Sequence, residues 1–155
     1  MKRLKDILYK VGIEAVKGAT DVVIQKIEFD SRKVQLNDAF VAIRGVVADG
    51  HQFIDATLRA GASAVICEDF PSAFAMDVTY VKVKNSAQAL GIISANFYQH
   101  PSKNLKLVGV TGTNGKTTVA TLLYKLFREL GFKVGLISTV ENQINDIIIP
   151  STHTT

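Results

Sequence analysis

The sequence predicts an α/β fold in two parts: a small α/β domain over residues 1–101, then the opening βαβ unit of a second, larger domain over residues 102–155. Three observations carry this. Short β-branched runs alternate with stretches of helical spacing before residue 100. A break at His100-Pro101-Ser102 then interrupts the pattern. Beyond it a Gly-rich run, Gly109 to Thr118, stands between a strand-like stretch and an amphipathic one.

Taken in order, Leu4, Ile7, Leu8 and Val11 have the spacing of one helix face. Val22 to Ile27 is β-branched and reads as a strand, as does the short apolar run Ala39 to Ile43. Phe53 to Ala60 reads as a helix closed by Gly61, followed by a strand at Ala64 to Cys67. Tyr80 to Val83 alternates as a strand does, and Asn85 or Ser86 caps a helix running to about Tyr98. After the break, Leu105 to Val108 is the next expected strand. Val119, Leu122, Leu123, Leu126, Phe127 and Leu130 then line one helix face, with Gly131 at the C-cap and a buried strand expected at Lys133 to Ile137. A hairpin is expected around Asn145-Asp146, and Ile147-Ile148-Ile149 is an apolar run with no visible partner. One helix and so few strands are too little to enclose a core, so residues 102–155 are expected to be the start of a larger domain in a cut chain.

The Gly-rich run carries the chemistry. A glycine turn between strand and helix aims backbone N–H groups at one spot, and the helix N-terminus adds partial positive charge. Lys116 supplies a mobile cation for outer phosphates, and the Thr117 hydroxyl suits a phosphate-bound Mg²⁺. Nucleoside triphosphate binding is therefore expected. The strict phosphate-loop pattern fails, because Val110 stands where its first glycine belongs; the glycines fall at 109, 112 and 115. The flanking strand and helix patterns are what set this run apart from a chance Gly-Lys-Thr.

Composition narrows the class. With 47% hydrophobic and 21% charged residues, the chain has the make-up of a soluble globular protein. The net charge of +4 is scattered, Lys2-Arg3-Lys5 being the nearest to a cluster, so no nucleic-acid partner is expected. Ile7-Leu8-Tyr9 is too short for a signal segment and no run approaches a membrane span, which makes the cytoplasm the expected compartment. Cys67, the single cysteine, is expected to pack as a small hydrophobe.

At this point a resemblance enters. The run from Gly109 to Thr118 resembles the phosphate loop of the Mur ligases, which carry this glycine spacing. Asp30-Ser31-Arg32, Asp38 to Gly45, Asp49 to Phe53 and Ala60-Gly61-Ala62 resemble the N-terminal domain shared by the family's third- and fourth-residue-adding members. Pro150 to Thr155 is similar to a segment before a substrate-binding Thr pair. The motifs occur in the family's order and cover nearly the whole chain.

The resemblance implies an ATP-dependent amide ligase of peptidoglycan precursor synthesis, acting on UDP-N-acetylmuramoyl-L-alanyl-D-glutamate through an acyl phosphate. The amine would come from meso-diaminopimelate or L-lysine. It implies that Gly112, Thr113, Asn114, Gly115, Lys116, Thr117 and Thr118 hold the ATP phosphates, with Lys116 the candidate catalytic residue and Thr117 reaching Mg²⁺. Ser31 would bond the UDP part of the substrate, and Thr154 and Thr155 its sugar-phosphate region; residues 1–101 become a substrate-binding domain and 102–155 the start of the ATP-binding one. Without the family, Ser31 reads as a turn residue and the terminal threonines as disordered. His51 reads as a capping or packing residue, His100 as loop surface, and His153 as a neighbour of the substrate. Val46 and Val47 depart from a loop that is more polar in the family. Residues for the metal-binding lysine carbamate, amino-acid selection and closure over ATP would lie past Thr155, so the chain alone is expected to catalyse nothing. Competing expectations are the D-alanyl-D-alanine-adding relative, a non-catalytic UDP-sugar-binding module and an unrelated phosphate-loop enzyme.

Overall fold

The computed structural model describes residues 1–45 and 48–150. The chain divides into two compact units, Met1–Leu105 and Lys106–Thr155, and each is described by itself.

The first unit is built on a five-stranded sheet. Its strands are β2 (Ile13–Lys17), β4 (Ile27–Glu28), β5 (Ala39–Val41), β6 (Ala64–Cys67) and β7 (Thr79–Val83), in the order β2-β7-β6-β5-β4. The pairs from β4 to β7 are parallel, and β2 runs antiparallel along β7. Helices cover both faces, as a parallel sheet requires. Alternation divides the strand side chains between the faces. Ala39, Val41, Ala64, Ile66, Val81 and Val83 pack against Leu4 and Ile7 of α1 (Leu4–Ile7) and Ala89 and Ile93 of α3 (Ser86–Phe97). Phe40, Ala42, Val65, Cys67 and Tyr80 pack on the other face against Val34 and Ile54, the latter opening α2 (Ile54–Arg59). Helix α3 starts where expected, the Asn85 side chain accepting the Gln88 N–H at 2.8 Å. Cys67 is buried, as expected, and burial pushes its thiol up to about 11, away from reactivity.

Two departures from the expected elements have local causes. The strand expected at 22–27 is split in two. β3 (Val23–Ile24) pairs antiparallel with β1 (Lys2–Arg3), whereas β4 pairs with β5. Gln25 and Lys26 between them bond instead to the approach to β5, the Gln25 N–H to Asn37 O and Lys26 O to the Ala39 N–H. β2 was not expected at all. It is an edge strand exposed at Ile13, Glu14, Val16 and Lys17, so burial leaves little apolar pattern to read.

In the second unit, α4 (Lys116–Glu129) ends in a Schellman arrangement: Gly131 at φ +84, its N–H on Arg128 O at 2.8 Å and the Phe132 N–H on Phe127 O at 3.0 Å. The Phe127 and Phe132 rings meet edge-on at 5.8 Å, the apolar contact that accompanies this cap. β8 (Gly135–Ile137), β9 (Glu141–Ile144) and β10 (Ile147–Pro150) form an antiparallel sheet in the order β10-β9-β8. The hairpin at Asn145-Asp146 is present, and Ile147 to Ile149 do have a partner, β9. β8 is shorter than expected and buries only Leu136. The strand expected at 105–108 carries no ladder among the described residues: a parallel strand needs a neighbour, and this unit's sheet is an antiparallel meander. Among the described residues no helix is long and apolar enough to cross a membrane.

One backbone approach in the first unit tolerates only glycine. A methyl on Gly50 would lie 2.7 Å from Ile43 N and 2.8 Å from Ile43 O, where the Gly50 N–H already donates to that oxygen. Gly50→Ala is expected to cost about 2 kcal/mol as an overpacked contact, lowering the melting temperature by roughly 10 °C. A calorimetric scan unchanged from the wild type would refute the close approach.

Candidate functional site

In the second unit the Gly109–Thr118 run is a loop leading into α4. Gly112 (φ +145) and Gly115 (φ +77) take left-handed conformations that other residues resist, which is why glycine stands there. Gly115 is the N-cap of the helix and no side chain caps it, so the first-turn N–H groups of Lys116, Thr117 and Thr118 face outward. Lys116 Nζ folds back onto the loop, donating to Gly112 O and, at 3.2 Å, to Thr113 O. Gly112 to Thr118 are all exposed. A 14-residue helix with an open N-terminus, a glycine loop and a cation at its mouth makes an anion cradle.

In the first unit the carboxyl ends of the parallel strands gather the polar groups, the edge at which open α/β sheets bind ligands. After β4, Asp30 caps a 3-10 turn at Ser31–Lys33: its Oδ1 accepts the Arg32 N–H at 3.1 Å and its carboxylate takes the Arg32 guanidinium at 2.9 Å through both oxygens. Ser31 is half-buried, and its hydroxyl makes no hydrogen bond among the described residues; Asp30, not Ser31, makes the turn. After β5 come Arg44 and Asp49, and after β6 Glu68 and Asp69. Arg44 lies 3.7 Å from both Asp49 and Glu68 and pairs with Asp69. Glu68 accepts from Ser86 N at 2.9 Å and Ser86 Oγ at 2.8 Å. These two bonds, with Arg44 and His51 nearby, hold the Glu68 carboxyl below its usual range. His51 does not cap its own turn; Asp49 does, and the bonds from the His51 main chain and ring lower the Asp49 carboxyl. His100 is half-buried at φ +55 before Pro101, its N–H on Ala95 O at 2.7 Å.

The sequence reading missed the Arg44–Glu68–Ser86 group. Its one signal was Glu68, a carboxylate directly after a fully buried strand. Thr154 and Thr155, with Ser151, Thr152 and His153, lie outside the described residues, as do Val46 and Val47.

The bond from Arg32 holds the Asp30 carboxyl at about 2, against an ordinary 3.8. A depressed folded value means that its stabilisation is complete above the unfolded value and disappears as pH falls through the folded one. Urea titrations should therefore show a loss between about pH 4 and pH 2 that Asp30→Asn lacks. Parallel curves for the two proteins would remove Asp30 from the account.

Comparisons with known proteins agree with both units. The model of the Mur ligase family catalytic domain matches residues 23–98, and that of the Mur ligase middle domain residues 110–155. A UDP-N-acetylmuramoyl-L-alanyl-D-glutamate--2,6-diaminopimelate ligase from Cytophaga hutchinsonii is 56% identical over 154 residues, 99% of this chain and 32% of the relative. A solved ligase of the same name matches in fold with a TM-score of 0.70, at 24% identity, over 96% of this chain and 30% of its own. The MurF ligase from Thermotoga maritima, in complex with ADP, matches with a TM-score of 0.53 at 32% identity, over 72% of this chain and 25% of its own. The chain thus spans about a third of the length of the curated relatives it matches.

Proposed function

From the premise that this chain belongs to the Mur ligase family, we propose that its protein is an ATP-dependent ligase of peptidoglycan precursor synthesis, joining 2,6-diaminopimelate to UDP-N-acetylmuramoyl-L-alanyl-D-glutamate. The observation that carries the reading is the 56% identity, across 99% of this chain, to a ligase named for that reaction. The same name favours diaminopimelate over L-lysine. The implied compartment is the cytoplasm, where ATP and UDP-linked precursors meet.

In this reading residues 1–101 recognise the substrate and residues 102–155 begin the ATP-binding domain. The main-chain N–H groups from Gly112 to Thr118 hold the phosphates, and Lys116 leaves its loop carbonyls for the outer phosphate oxygens. ATP brings Mg²⁺. The Thr117 hydroxyl, exposed in the first turn of α4, would help hold Mg²⁺ at the phosphates, where the ion would neutralise charge. The γ-phosphoryl group passes to the D-glutamate carboxylate as ADP leaves. The amine then attacks the acyl phosphate, the amide forms and phosphate departs. Positioning and charge neutralisation do most of this work, which suits a cradle of N–H groups and one lysine. Ser31, its hydroxyl unused by the turn, bonds the UDP part; Thr154 and Thr155 contact the sugar-phosphate.

The test is to incubate the full-length protein that contains this sequence with ATP, Mg²⁺, the UDP-dipeptide and labelled diaminopimelate. The expected product is the UDP-tripeptide, with one ADP and one phosphate per amide. Turnover only with the UDP-tripeptide and D-alanyl-D-alanine would make it the fourth-residue enzyme instead. ATP hydrolysis indifferent to UDP-peptides would make it a different phosphate-loop enzyme.

A further inference from the structure

Asp49-Gly50 and Asn114-Gly115 are the places in this chain where a carboxyl or amide side chain stands directly before glycine. In such a pair the glycine nitrogen can attack the preceding side-chain carbonyl carbon, because no Cβ on the glycine bars the approach. The structure treats the two pairs in opposite ways. The Gly50 N–H donates to Ile43 O at 2.8 Å, and Asp49 Oδ1 accepts the His51 N–H at 2.9 Å. A methyl on Gly50 would lie 2.7 Å from Ile43 N. Nitrogen and carboxylate are both engaged there, in a space with no room for either to swing. Asn114-Gly115 is open on each count. Both residues are exposed, and among the described residues neither the Asn114 side chain nor the Gly115 N–H makes a hydrogen bond. A methyl on Gly115 would meet nothing within 4 Å. Gly115 is also the N-cap of α4, at φ +77, where the partial positive charge of the helix eases loss of the amide proton and so makes its nitrogen a nucleophile.

We propose that Asn114 is a site of spontaneous deamidation, that its product spoils the anion cradle of the Gly109–Thr118 loop, and that bound ATP slows the reaction. The inference rests on the phosphate-binding reading above. The only co-reactant is water. The Gly115 amide gives up its proton and its nitrogen attacks Asn114 Cγ. A C–N bond forms, the Cγ–Nδ2 bond breaks, and Nδ2 leaves as ammonia, taking up the proton. Water then opens the cyclic imide at either carbonyl, leaving aspartate at position 114 or an isoaspartate whose main chain runs through the former side chain. Both products put a carboxylate where a neutral amide stood, next to the open N–H groups of Lys116, Thr117 and Thr118. That charge repels the phosphates the cradle serves. The isoaspartate link also lengthens the main chain by a carbon just before the N-cap, which moves the N–H groups out of aim. A bound phosphate protects the pair, since it occupies the loop N–H groups and fills the open space beside Gly115.

The experiment stores the full-length protein that contains this sequence in neutral buffer for days, with and without ATP and Mg²⁺. Mass spectrometry follows the tryptic peptide Leu107–Lys116, in which Asn114 is the sole asparagine. That peptide should gain the mass of an amide-to-acid exchange and split into two acid forms, ahead of the peptides that carry the other asparagines. ATP binding should be lost in step with the acid fraction. ATP at about ten times its Kd should slow the conversion about tenfold, because only the empty loop reacts. Asn114→Asp should bind ATP at least about tenfold more weakly from the start. Asn114→Gln, whose longer side chain closes the ring poorly, should keep whatever ATP affinity it begins with. An Asn114 that stays amidated to the end overturns the proposal. So does an acid form that binds ATP like the amide, or a conversion that ATP leaves unslowed. If the fresh protein binds no ATP, the phosphate-binding reading fails and the proposal falls with it; if it binds ATP and shows any of those three results, the proposal alone fails.

Discussion

On the proposed ligase reading, Lys116→Met is expected to lower kcat for UDP-dipeptide-dependent ADP release by about 10²–10³-fold, the size of effect seen when one preorganised charge-stabilising donor is removed. Lys116 is the first residue of α4, exposed, with Nζ resting on Gly112 O and Thr113 O at the mouth of the loop. Those carbonyls are weak partners for an ammonium in water, so exchanging them for phosphate oxygens costs little. The gain is a charge-assisted bond that strengthens as charge develops on the transferring phosphoryl group. ATP affinity should fall less, by about ten- to a hundredfold, since a hydrogen bond to a charged group in the ground state is worth about 1.5–3 kcal/mol. Lys116→Arg is not expected to rescue, because a planar fork does not replace a compact point charge in a tight loop. Methionine and lysine have similar helix propensities, so the melting temperature should hold. A Lys116→Met enzyme within threefold of wild-type kcat would remove Lys116 from the catalytic machinery.

What made this loop legible is that its signal is backbone geometry written in residue type. Gly112 and Gly115 stand where φ is positive, and Gly131 where the helix ends at φ +84. β5, β6 and β7 were legible for a different reason: buried on both faces, they are almost continuous apolar runs. Burial is also why β2 was not. Glu14, Val16 and Lys17 lie on an exposed edge strand, and its place in the sheet depends on pairing with β7, more than 60 residues away. The single strand read at 22–27 is two because Ile24 and Ile27 answer to different partners, Lys2 and Ala39. His51 is the same kind of case. Its neighbours suggested a capping or packing role; Asp49 does the capping, while the His51 bond to Glu68 spans 17 residues and leaves no local trace. Local rules reached the elements and the glycine loop; contacts between strand ends were beyond them.

The largest expected loss of stability is at Phe40. It is fully buried in β5, between Glu28 of β4 and Val65 of β6 in register, and its ring belongs to the cluster of Ile54, Val65 and Tyr80. Phe40→Ala removes the whole phenyl ring from a site walled by sheet on one side and by α2 on the other. Neighbouring strands cannot close on the gap without breaking their ladders, so a cavity remains and the cost is about 3–5 kcal/mol. Against a total of about 5–15 kcal/mol for a domain, that is roughly a fifth or more of the whole. The expected drop in melting temperature is roughly 15–30 °C. Phe40→Leu, which keeps most of the volume, should cost about 1 kcal/mol. By contrast Leu122→Ala in α4, at a position 62% exposed, should change stability by no more than about 0.5 kcal/mol, although both residues looked equally apolar in sequence. Tyr80 shares the Phe40 cluster, and the chain has no tryptophan, so tyrosine emission during urea unfolding reports this core together with Tyr9, Tyr98 and Tyr124. A midpoint for Phe40→Ala that coincides with that of Leu122→Ala would mean that this face of the sheet is not the core that holds the strand ends, and with them Ser31 and His51, in place.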